Sequence, residues 1–198
     1  MQKVILVDGN NLLFRSYYAT AYTGNIMRNS KGFPTNGLFG FVNMMNKIIT
    51  EEDPKYIVVA FDIGKTFRHL KYDAYKGGRA ETPDDLKAQF PVAKKILDAM
   101  GIKYIEKEGY EADDIIGTFA RMVDENDDYN ALIVSSDKDL LQLISDEVSV
   151  KLLKTKDYIM MTPLSFYDVY GIEPIRMIDL KSLMGDASDN IPGVKGIG

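Results

Sequence analysis

Residues 3–10 read Lys-Val-Ile-Leu-Val-Asp-Gly-Asn, a continuous apolar run that ends in an aspartate, a glycine and an asparagine. A strand that is covered by helices on both faces has this composition where it enters a loop. The same pattern occurs again in residues 56–62 and in residues 131–139. Because helical patterns separate the three runs, right-handed crossovers would align them as parallel strands. The sequence therefore predicts an α/β protein with a central, mainly parallel, twisted sheet and helices on both faces.

The segments between and after these strands supply the other predicted elements. Residues 37–49 carry apolar side chains at helical spacing, which is typical of a helix that packs on a core. A second helix is predicted to start at Thr82, as its N-cap, with Pro83 in its first turn and a kink or break at Pro91. A short strand is predicted at residues 103–105, and a hairpin of two strands at residues 148–153 and 158–161. Two short helices are predicted at residues 163–170 and 174–183.

An aspartate ends each of the three predicted parallel strands: Asp8, Asp62 and Asp137. A single strand that ends in Asp is common, since Asp starts turns and caps helices. The carboxyl ends of parallel strands, however, meet at one edge of the sheet, and ligands bind there in open α/β sheets. Three such strands favour one shared cation site.

Residues 110–117 read Tyr-Glu-Ala-Asp-Asp-Ile-Ile-Gly and place three carboxylates at the predicted start of a helix. The helical period puts Asp114 about 60° from Glu111, with Asp113 on the neighbouring flank. Two carboxylates about 4 Å apart repel by roughly 4 kcal/mol at an effective dielectric near 20, and helix-end N–H groups offset only about 1 kcal/mol of this. Acids also suit a helix N-terminus without any metal, so the convergence with the strand ends is what favours a cation. Asp186 and Asp189, three residues apart, would share one face of a helical turn and add a fourth source of carboxylates.

The composition restricts the kind of cation and the class of protein. The chain has 198 residues, 45% of them hydrophobic and 27% charged, which fits one domain or one domain with an appendage. It has no cysteine and one histidine, which excludes disulfides and thiolate sites and leaves little room for zinc. An oxygen-bound ion such as magnesium, manganese or calcium is expected. No apolar run approaches the roughly 20 residues of a membrane span, so no membrane contact and a cytoplasmic location are expected.

The basic segment, between Asp62 and Thr82, reverses the acidic balance of a chain whose net charge is −5. Aromatic residues are interleaved with its cations, and Gly77 and Gly78 interrupt any helix. Phosphates attract Lys and Arg, and rings stack on exposed bases, so this mixture suits a single-stranded nucleic acid better than a small anion. A solvated surface loop is the alternative. The residues concerned are Lys65, Phe67, Arg68, His69, Lys71, Tyr72, Tyr75, Lys76 and Arg79.

The last six residues, Gly193 to Gly198, form a glycine-rich segment whose exposed N–H groups could bind a backbone phosphate. Surface turns also use glycine for conformational reasons alone. The segment is therefore a weak signal when it is taken by itself.

Taken together, the motifs resemble the 5′-nuclease (flap endonuclease) superfamily, and most closely the 5′-3′ exonuclease domains found at the N-terminus of bacterial DNA polymerase I. The resemblance covers nearly the whole chain in order. Its motifs are Val-Asp-Gly-Asn-Asn (7–11), Phe-Asp (61–62), Phe-Arg-His (67–69), Tyr-Lys-Gly-Gly-Arg (75–79), Glu-Ala-Asp-Asp (111–114), Ser-Ser-Asp-Lys-Asp (135–139) and Gly-Asp-Ala-Ser-Asp-Asn-Ile-Pro-Gly-Val-Lys-Gly-Ile-Gly (185–198).

The resemblance implies a divalent-metal-dependent 5′-3′ exodeoxyribonuclease and flap endonuclease that hydrolyses DNA phosphodiesters in replication and repair. It implies two Mg²⁺ ions, for which Mn²⁺ substitutes, and a K⁺ ion at the C-terminal hairpin. The first metal cluster would be Asp8, Asp62, Glu111 and Asp113, and the second Asp137, Asp139, Asp186 and Asp189. Lys76, Arg79 and Asp114 are assigned to catalysis by the same resemblance. The DNA contacts it implies are Arg68, Lys71, Tyr75, Gly193, Lys195, Gly196 and Gly198.

The resemblance also implies an arrangement of subdomains and partners. Residues 1–172 would form a PIN-like catalytic core into which a basic helical arch, approximately residues 64–90, is inserted. Residues 173–198 would begin a helix-hairpin-helix subdomain whose second helix is not in the sequence. The expected partners are DNA with a 5′ flap or a 5′ end beside a duplex, an RNA primer, and covalently attached polymerase domains, in a cytoplasmic, nucleoid-associated protein.

Three other functions are compatible with parts of this pattern. A PIN-type ribonuclease shares the acidic sheet edge but usually lacks the basic arch and the terminal glycine hairpin. A noncatalytic DNA-binding module gains nothing from the repulsion among complete carboxylates. An Asp-x-Asp phosphatase is disfavoured because residues 137–139 follow a late strand and lack the expected downstream Thr.

Overall fold

The computed structural model describes residues 1–22, 24 and 26–197. Its centre is one six-stranded sheet with the strand order β3-β2-β1-β4-β5-β6. Neighbouring strands are parallel except β5 and β6, which form an antiparallel hairpin. The mainly parallel sheet and the late hairpin are therefore confirmed. The strands are β1 (Gln2–Asp8), β2 (Tyr56–Phe61), β3 (Lys103–Glu106), β4 (Tyr129–Ser135), β5 (Val148–Leu153) and β6 (Tyr158–Met161).

Helices cover both faces of the sheet, as the continuous apolar strands require. In β1, Ile5 and Val7 face one buried cluster, which includes side chains of α1, α2 and α5, while Val4 and Leu6 face the other, which includes α6, α7 and α8. The helices are α1 (Gly9–Ala21), α2 (Asn36–Glu52), α3 (Phe67–Lys71), α4 (Asp84–Lys87), α5 (Gln89–Ala99), α6 (Ala112–Asp124), α7 (Pro163–Tyr170) and α8 (Met177–Met184), with 3₁₀-helices at Asp139–Leu143 and Pro174–Arg176.

The helix predicted from Thr82 differs from the structure at two points. Pro83, rather than Thr82, is the N-cap residue of α4, and no side chain caps that end. The break falls at Ala88, between α4 and α5, and Pro91 is the third residue of α5. A proline is tolerated there because the first N–H groups of a helix have no partner within the helix. In a continuous helix its ring would clash with the carbonyl of the residue four positions earlier, Lys87, which is the last residue of α4, so the predicted split into two helices is present, three residues before Pro91 itself.

The predicted helical arch of residues 64–90 is not confirmed. The basic segment holds the five-residue helix α3 and a series of turns, and Tyr75 is buried at 6% exposure. The segment packs against the C-terminal turn, residues 186–191: the backbone N–H of Lys76 donates to the carbonyl of Asp189 at 2.9 Å, and Asn190 Nδ2 donates to the carbonyl of Ala74 at 2.9 Å.

The C-terminal turn follows α8 directly. Gly185 ends that helix with a φ of 76°, and a β-bridge joins Asp186 to Ile191. A Cβ on Gly193 would lie 2.2 Å from the carbonyl oxygen of Met184, so the two backbones cross in contact. Gly198, predicted as a DNA contact, lies outside the described residues. Within the described ranges, no helix is long and apolar enough to cross a membrane.

Candidate metal centre

Asp8, Asp62 and Asp137 lie at or just beyond the carboxyl ends of β1, β2 and β4, which are neighbours in the sheet. Helix α6 begins beside them, with Glu111 as its N-cap residue and Asp113 in its first turn. Asp62 Oδ1 accepts from the N–H of Ala112 at 2.6 Å, which ties the end of β2 to the start of α6. The sheet edge thus brings the strand-end carboxylates and the acidic helix start together, as the sequence predicted.

Four of these carboxylates form no ion pair with a described Lys or Arg; they are called here the unpaired aspartate cluster. Asp8 is 5% exposed and accepts hydrogen bonds from the N–H of Asn11 and from Ser135 Oγ, both at 2.9 Å. Asp62 accepts from Asn10 Nδ2 as well as from Ala112. The cluster consists of Asp8, Asp62, Asp113 and Asp137.

Burial and mutual repulsion shift the protonation of the unpaired aspartate cluster. Burial raises the pKa of Asp8 to about 7, against the two hydrogen bonds, and the charges of Asp62 and Asp137 raise it further. The pKa of Asp113 is raised well above its ordinary value, first by burial and then by the negative charges of the other three and of Glu111. Burial is also the main cause of the raised pKa of Asp62. The ionised form of the cluster is therefore disfavoured in the protein alone, although the charges of Lys76 and Arg79 partly offset the shift at Asp62, and a bound cation would favour ionisation.

The other predicted carboxylates are each paired with a cationic side chain. Glu111 Oε1 is 2.8 Å from Lys76 Nζ, and Arg79 pairs with Asp189. Asp139 and Asp186 share one lysine, Lys181, at 2.8 and 2.5 Å. Asp114 is held by Arg68 through two hydrogen bonds, of 2.7 and 2.8 Å. The eight carboxylates of the two predicted metal clusters are thus divided differently here, into four unpaired and four cation-paired ones, and Asp114, predicted for catalysis, is a fifth paired carboxylate.

Arg68 and Tyr75 were predicted as DNA contacts, but the structure directs both side chains inward. Arg68 binds Asp114, and the Tyr75 hydroxyl lies 3.0 Å from Glu111 Oε2 and 2.9 Å from Asp189 Oδ2. Burial, followed by the charge of Glu111, raises the pKa of Tyr75. The tyrosine ring is therefore not presented for stacking on a base. Lys71 and Lys195, in contrast, are exposed, as are Gly193 and Gly196.

Asp186 and Asp189 do not share a helical turn. The α8 helix ends at Met184, and Asp186 Oδ1 accepts from the N–H groups of Ser188 and Asp189 at 2.8 and 3.2 Å, which closes a side-chain-bonded turn. This turn sends Asp186 towards Lys181 and Asp189 towards Tyr75 and Arg79. Sequence reasoning missed Lys181, although a lysine in the last turn of a predicted helix that precedes an acidic turn was a usable signal.

A cavity of about 530 Å³ opens beside the cluster and combines acidic and basic walls. Its carboxylates are oxygen donors of the kind that hard divalent cations prefer, and the uncompensated charge of Asp8, Asp62, Asp113 and Asp137 fits such an ion in chemical character. No group of three or more described His, Asp or Glu side chains is already arranged to hold a metal ion. Side chains of the cluster would thus have to move towards a bound ion.

Comparisons with known proteins agree with this fold. Residues 3–171 match the family described as "5′-3′ exonuclease, N-terminal resolvase-like domain". DNA polymerase I of Bacillus caldotenax is 45% identical over an alignment of 200 positions, which covers 100% of this chain and 22% of the polymerase. A 5′-3′ exonuclease of Bacillus subtilis is 44% identical over 199 residues, covering 99% of this chain and 67% of that protein. The chain thus spans about a fifth of the polymerases it matches.

Solved structures share the same architecture. T5 D15 protein co-crystallised with metal ions superposes with a TM-score of 0.76 at 25% identity, over 100% of this chain and 72% of that one. The catalytic core of Rad2 in complex with DNA gives 0.64 at 21% identity, over 100% of this chain and 58% of that one, and this likeness concerns the fold alone. On the match over residues 3–171 and the two relatives above 40% identity, the chain belongs to the 5′-3′ exonuclease, N-terminal resolvase-like domain family.

Proposed function

We propose that this chain is a divalent-metal-dependent nuclease that hydrolyses DNA phosphodiesters as a 5′-3′ exonuclease and 5′-flap endonuclease. The observation that carries the proposal is the unpaired aspartate cluster, four carboxylates without a cationic partner that lie at the ligand-binding edge of the sheet beside cations that can bind phosphate. A protein that served only to bind DNA would gain nothing from bringing these mutually repelling carboxylates together.

Asp8, Asp62, Asp113 and Asp137 are the residues that would hold a divalent ion, and Mg²⁺ suits their oxygen donors. When bound, such an ion lowers the pKa of a coordinated water and so supplies hydroxide at neutral pH. The hydrogen bonds from Asn11, Ser135 and Ala112 hold Asp8 and Asp62 at this edge of the sheet in the metal-free protein. A second ion at the remaining carboxylates, Mn²⁺ in place of Mg²⁺, and K⁺ at the glycine-rich segment are further parts of the proposal.

Lys76 and Arg79 reach the same cavity from the basic segment. In the structure they pair with Glu111 and Asp189, respectively, so their charges stand next to the place where a phosphate would enter. Preorganised cations at this point stabilise the charge that develops on phosphoryl oxygens. Arg68 acts indirectly, since it holds Asp114, and Asp114 Oδ2 in turn accepts from the N–H of Glu111 at 2.9 Å.

We further propose that the substrate is DNA with a 5′ single-stranded flap or a 5′ end beside a duplex, RNA primers included. The exposed cations Lys71 and Lys195 lie on segments that flank the cavity region and suit contacts to backbone phosphates. Because the chain spans 22% of polymerase I relatives, we propose that it works as part of a longer polymerase in the cytoplasm, close to the nucleoid.

The experiment that tests the function is cleavage of a 5′-labelled flap duplex with Mg²⁺ and with chelator. We expect cleavage near the flap junction only with Mg²⁺, and no cleavage of a 3′-flap duplex of the same sequence. Binding of the flap duplex without cleavage at any Mg²⁺ concentration would contradict the proposal and favour a noncatalytic DNA-binding module. Equal cleavage of a single-stranded RNA would favour a PIN-type ribonuclease.

A further inference from the structure

A lysine outside the recognised motifs lies between two carboxylates of the predicted second metal cluster. Lys181 Nζ is 2.8 Å from Asp139 Oδ1 and 2.5 Å from Asp186 Oδ2. Lys181 belongs to the last turn of α8, Asp139 begins the 3₁₀-helix after β4, and Asp186 opens the C-terminal turn. One ammonium group therefore joins three separate segments of the chain.

The position of Lys181 at the end of α8 explains its contact with Asp186 but not its contact with Asp139. A lysine suits the last turn of a helix, where it interacts favourably with the helix dipole, and Asp186 is five residues away in sequence. This does not explain why the same ammonium group also meets Asp139. The three side chains line a cavity of about 250 Å³, which borders the larger cavity through Asp139 and Asp189. Lys181 thus puts its charge into a space that carboxylates surround.

The charges in this smaller cavity remain unbalanced. Lys181 supplies one positive charge to two carboxylates. Both carboxylates contact that one ammonium group, and a third carboxylate, Asp189, lines the same cavity. One ammonium group therefore neutralises the pair incompletely, whereas a doubly charged ion would match it.

We infer that Lys181 competes with a divalent cation for the space between Asp139 and Asp186, so that an ion enters this pair only when the ammonium group leaves. The inference rests on the proposed function, because it assumes that these carboxylates serve as ion ligands. Lysine suits the role, since its flexible four-carbon stem lets the ammonium group withdraw without moving the backbone. In the DNA-free protein, the unpaired aspartate cluster then binds its ion first, and the Asp139–Asp186 pair binds weakly.

The test counts Mn²⁺ ions bound to the DNA-free protein, by electron paramagnetic resonance of free Mn²⁺ during titration. Three proteins are compared: the wild type, Lys181→Met and Lys181→Arg. We expect Lys181→Met to bind its second ion at least about tenfold more tightly than the wild type, because a competing positive charge is removed at contact distance. Lys181→Arg keeps that charge and should match the wild type within about threefold.

Asp113→Asn separates failure of this inference from failure of the proposed function. If Lys181→Met binds Mn²⁺ like the wild type while Asp113→Asn loses the tighter ion, the metal site stands and the role of Lys181 is refuted. If the wild type binds no Mn²⁺, the metal site itself is refuted, and the inference with it.

Removing Lys181 leaves Asp139 and Asp186 without a cation, so Lys181→Met is also followed by thermal unfolding. We expect its melting temperature to be lower than that of the wild type in chelator and to rise more steeply with Mn²⁺. Should the variant be unfolded in chelator, refolding upon addition of Mn²⁺ supports the competition, and failure to refold contradicts it.

Discussion

Arg68 donates from both terminal nitrogens to the two carboxylate oxygens of Asp114, at 2.7 and 2.8 Å, across 46 residues of sequence. Asp114 accepts a further hydrogen bond from the N–H of Glu111, so the arginine fixes the start of α6 through the aspartate. Burial is the largest single effect on the pKa of Asp114 and raises it, but the hydrogen bonds from Arg68 and from the N–H of Glu111, with the charges of Arg68 and Lys76, together lower it. Arg68 is therefore a positioning residue in this structure.

The first prediction concerns this pair. Arg68→Ala should lower the free energy of unfolding by about 1–3 kcal/mol, because a charge-assisted bidentate contact is lost and Asp114 is left half-buried without it. For a chain of this length the melting temperature should fall by roughly 3–10 °C, measured by circular dichroism. Lys71→Ala, an exposed neighbour in α3, is the matched control and should leave it unchanged. An unchanged melting temperature for Arg68→Ala, with weaker DNA binding, would restore Arg68 as a DNA contact.

Asp113 should destabilise the metal-free protein. Its pKa is raised in the folded state by burial and by Asp8, Asp137, Asp62 and Glu111, so the folded state binds more protons than the unfolded state above about pH 4. The stability of the wild type should therefore fall as the pH rises from 4 towards neutrality. Asp113→Asn should remove part of this slope and increase the free energy of unfolding at pH 7.5 by about 1 kcal/mol or more.

The same variant should respond differently to metal. Mg²⁺ at 10 mM should raise the melting temperature of the wild type but not that of Asp113→Asn. The measurement is urea denaturation at pH 5 and pH 7.5, in chelator and in Mg²⁺, with the exposed Asp127→Asn as control. A loss of stability for Asp113→Asn in chelator would mean that the carboxylate has a structural partner in the protein.

The sequence predicts the backbone of this site better than its side chains. Asp8, Asp62 and Asp137 could be placed at one edge because the helical segments between the apolar runs predict right-handed crossovers and hence parallel strands, whatever the details of packing. The start of α6 at Glu111 followed from local signals as well. These features depend on residues that are near each other in sequence or on general rules of topology.

The partners of the carboxylates could not be predicted in the same way. Tyr75 meets Asp189 across 114 residues, and Lys181 of α8 meets Asp139 of the 3₁₀-helix after β4. Such contacts depend on the relative position of two packed segments, to which no local pattern is sensitive. The basic segment is a further example: the sequence shows its charges, but no local pattern predicts that it packs against the C-terminal turn.

Lys76 should affect cleavage more than binding. Lys76→Ala removes the cation nearest to Glu111 in the cavity, and loss of one preorganised charge of this kind costs on the order of 10²-fold in turnover. The dissociation constant for a flap duplex, measured in Ca²⁺ by fluorescence anisotropy, should change by less than about fivefold.

Lys71→Ala is the contrasting variant for that experiment, since its side chain is exposed. It should weaken binding modestly and lower the salt dependence by about one phosphate contact, with turnover at saturation unchanged. Equal losses of turnover and affinity for Lys76→Ala would contradict the prediction and show that Lys76 only binds a DNA phosphate.

Gly193 tests whether the glycine-rich segment is shaped for packing or for phosphate binding. A Cβ at this position would lie 2.2 Å from the carbonyl oxygen of Met184 and 2.8 Å from the backbone nitrogen of Gly185, and backbone atoms cannot withdraw as a flexible side chain would. Gly193→Ala should therefore push the C-terminal turn away from α8 and break the 2.7 Å hydrogen bond from the N–H of Val194 to the carbonyl of Leu183.

Hydrogen exchange without DNA measures this effect directly. Amides of residues 183–194 should exchange at least about tenfold faster in Gly193→Ala, while those of β1, β2 and β4 keep their protection, because local opening is independent of the core. Gly78→Ala is the matched control, since an added Cβ there meets open space. Because Asp186 and Asp189 belong to this turn, Gly193→Ala should also weaken the binding of the second Mn²⁺ ion. Unchanged exchange with weaker DNA binding would instead show that the glycine serves only to let a phosphate approach.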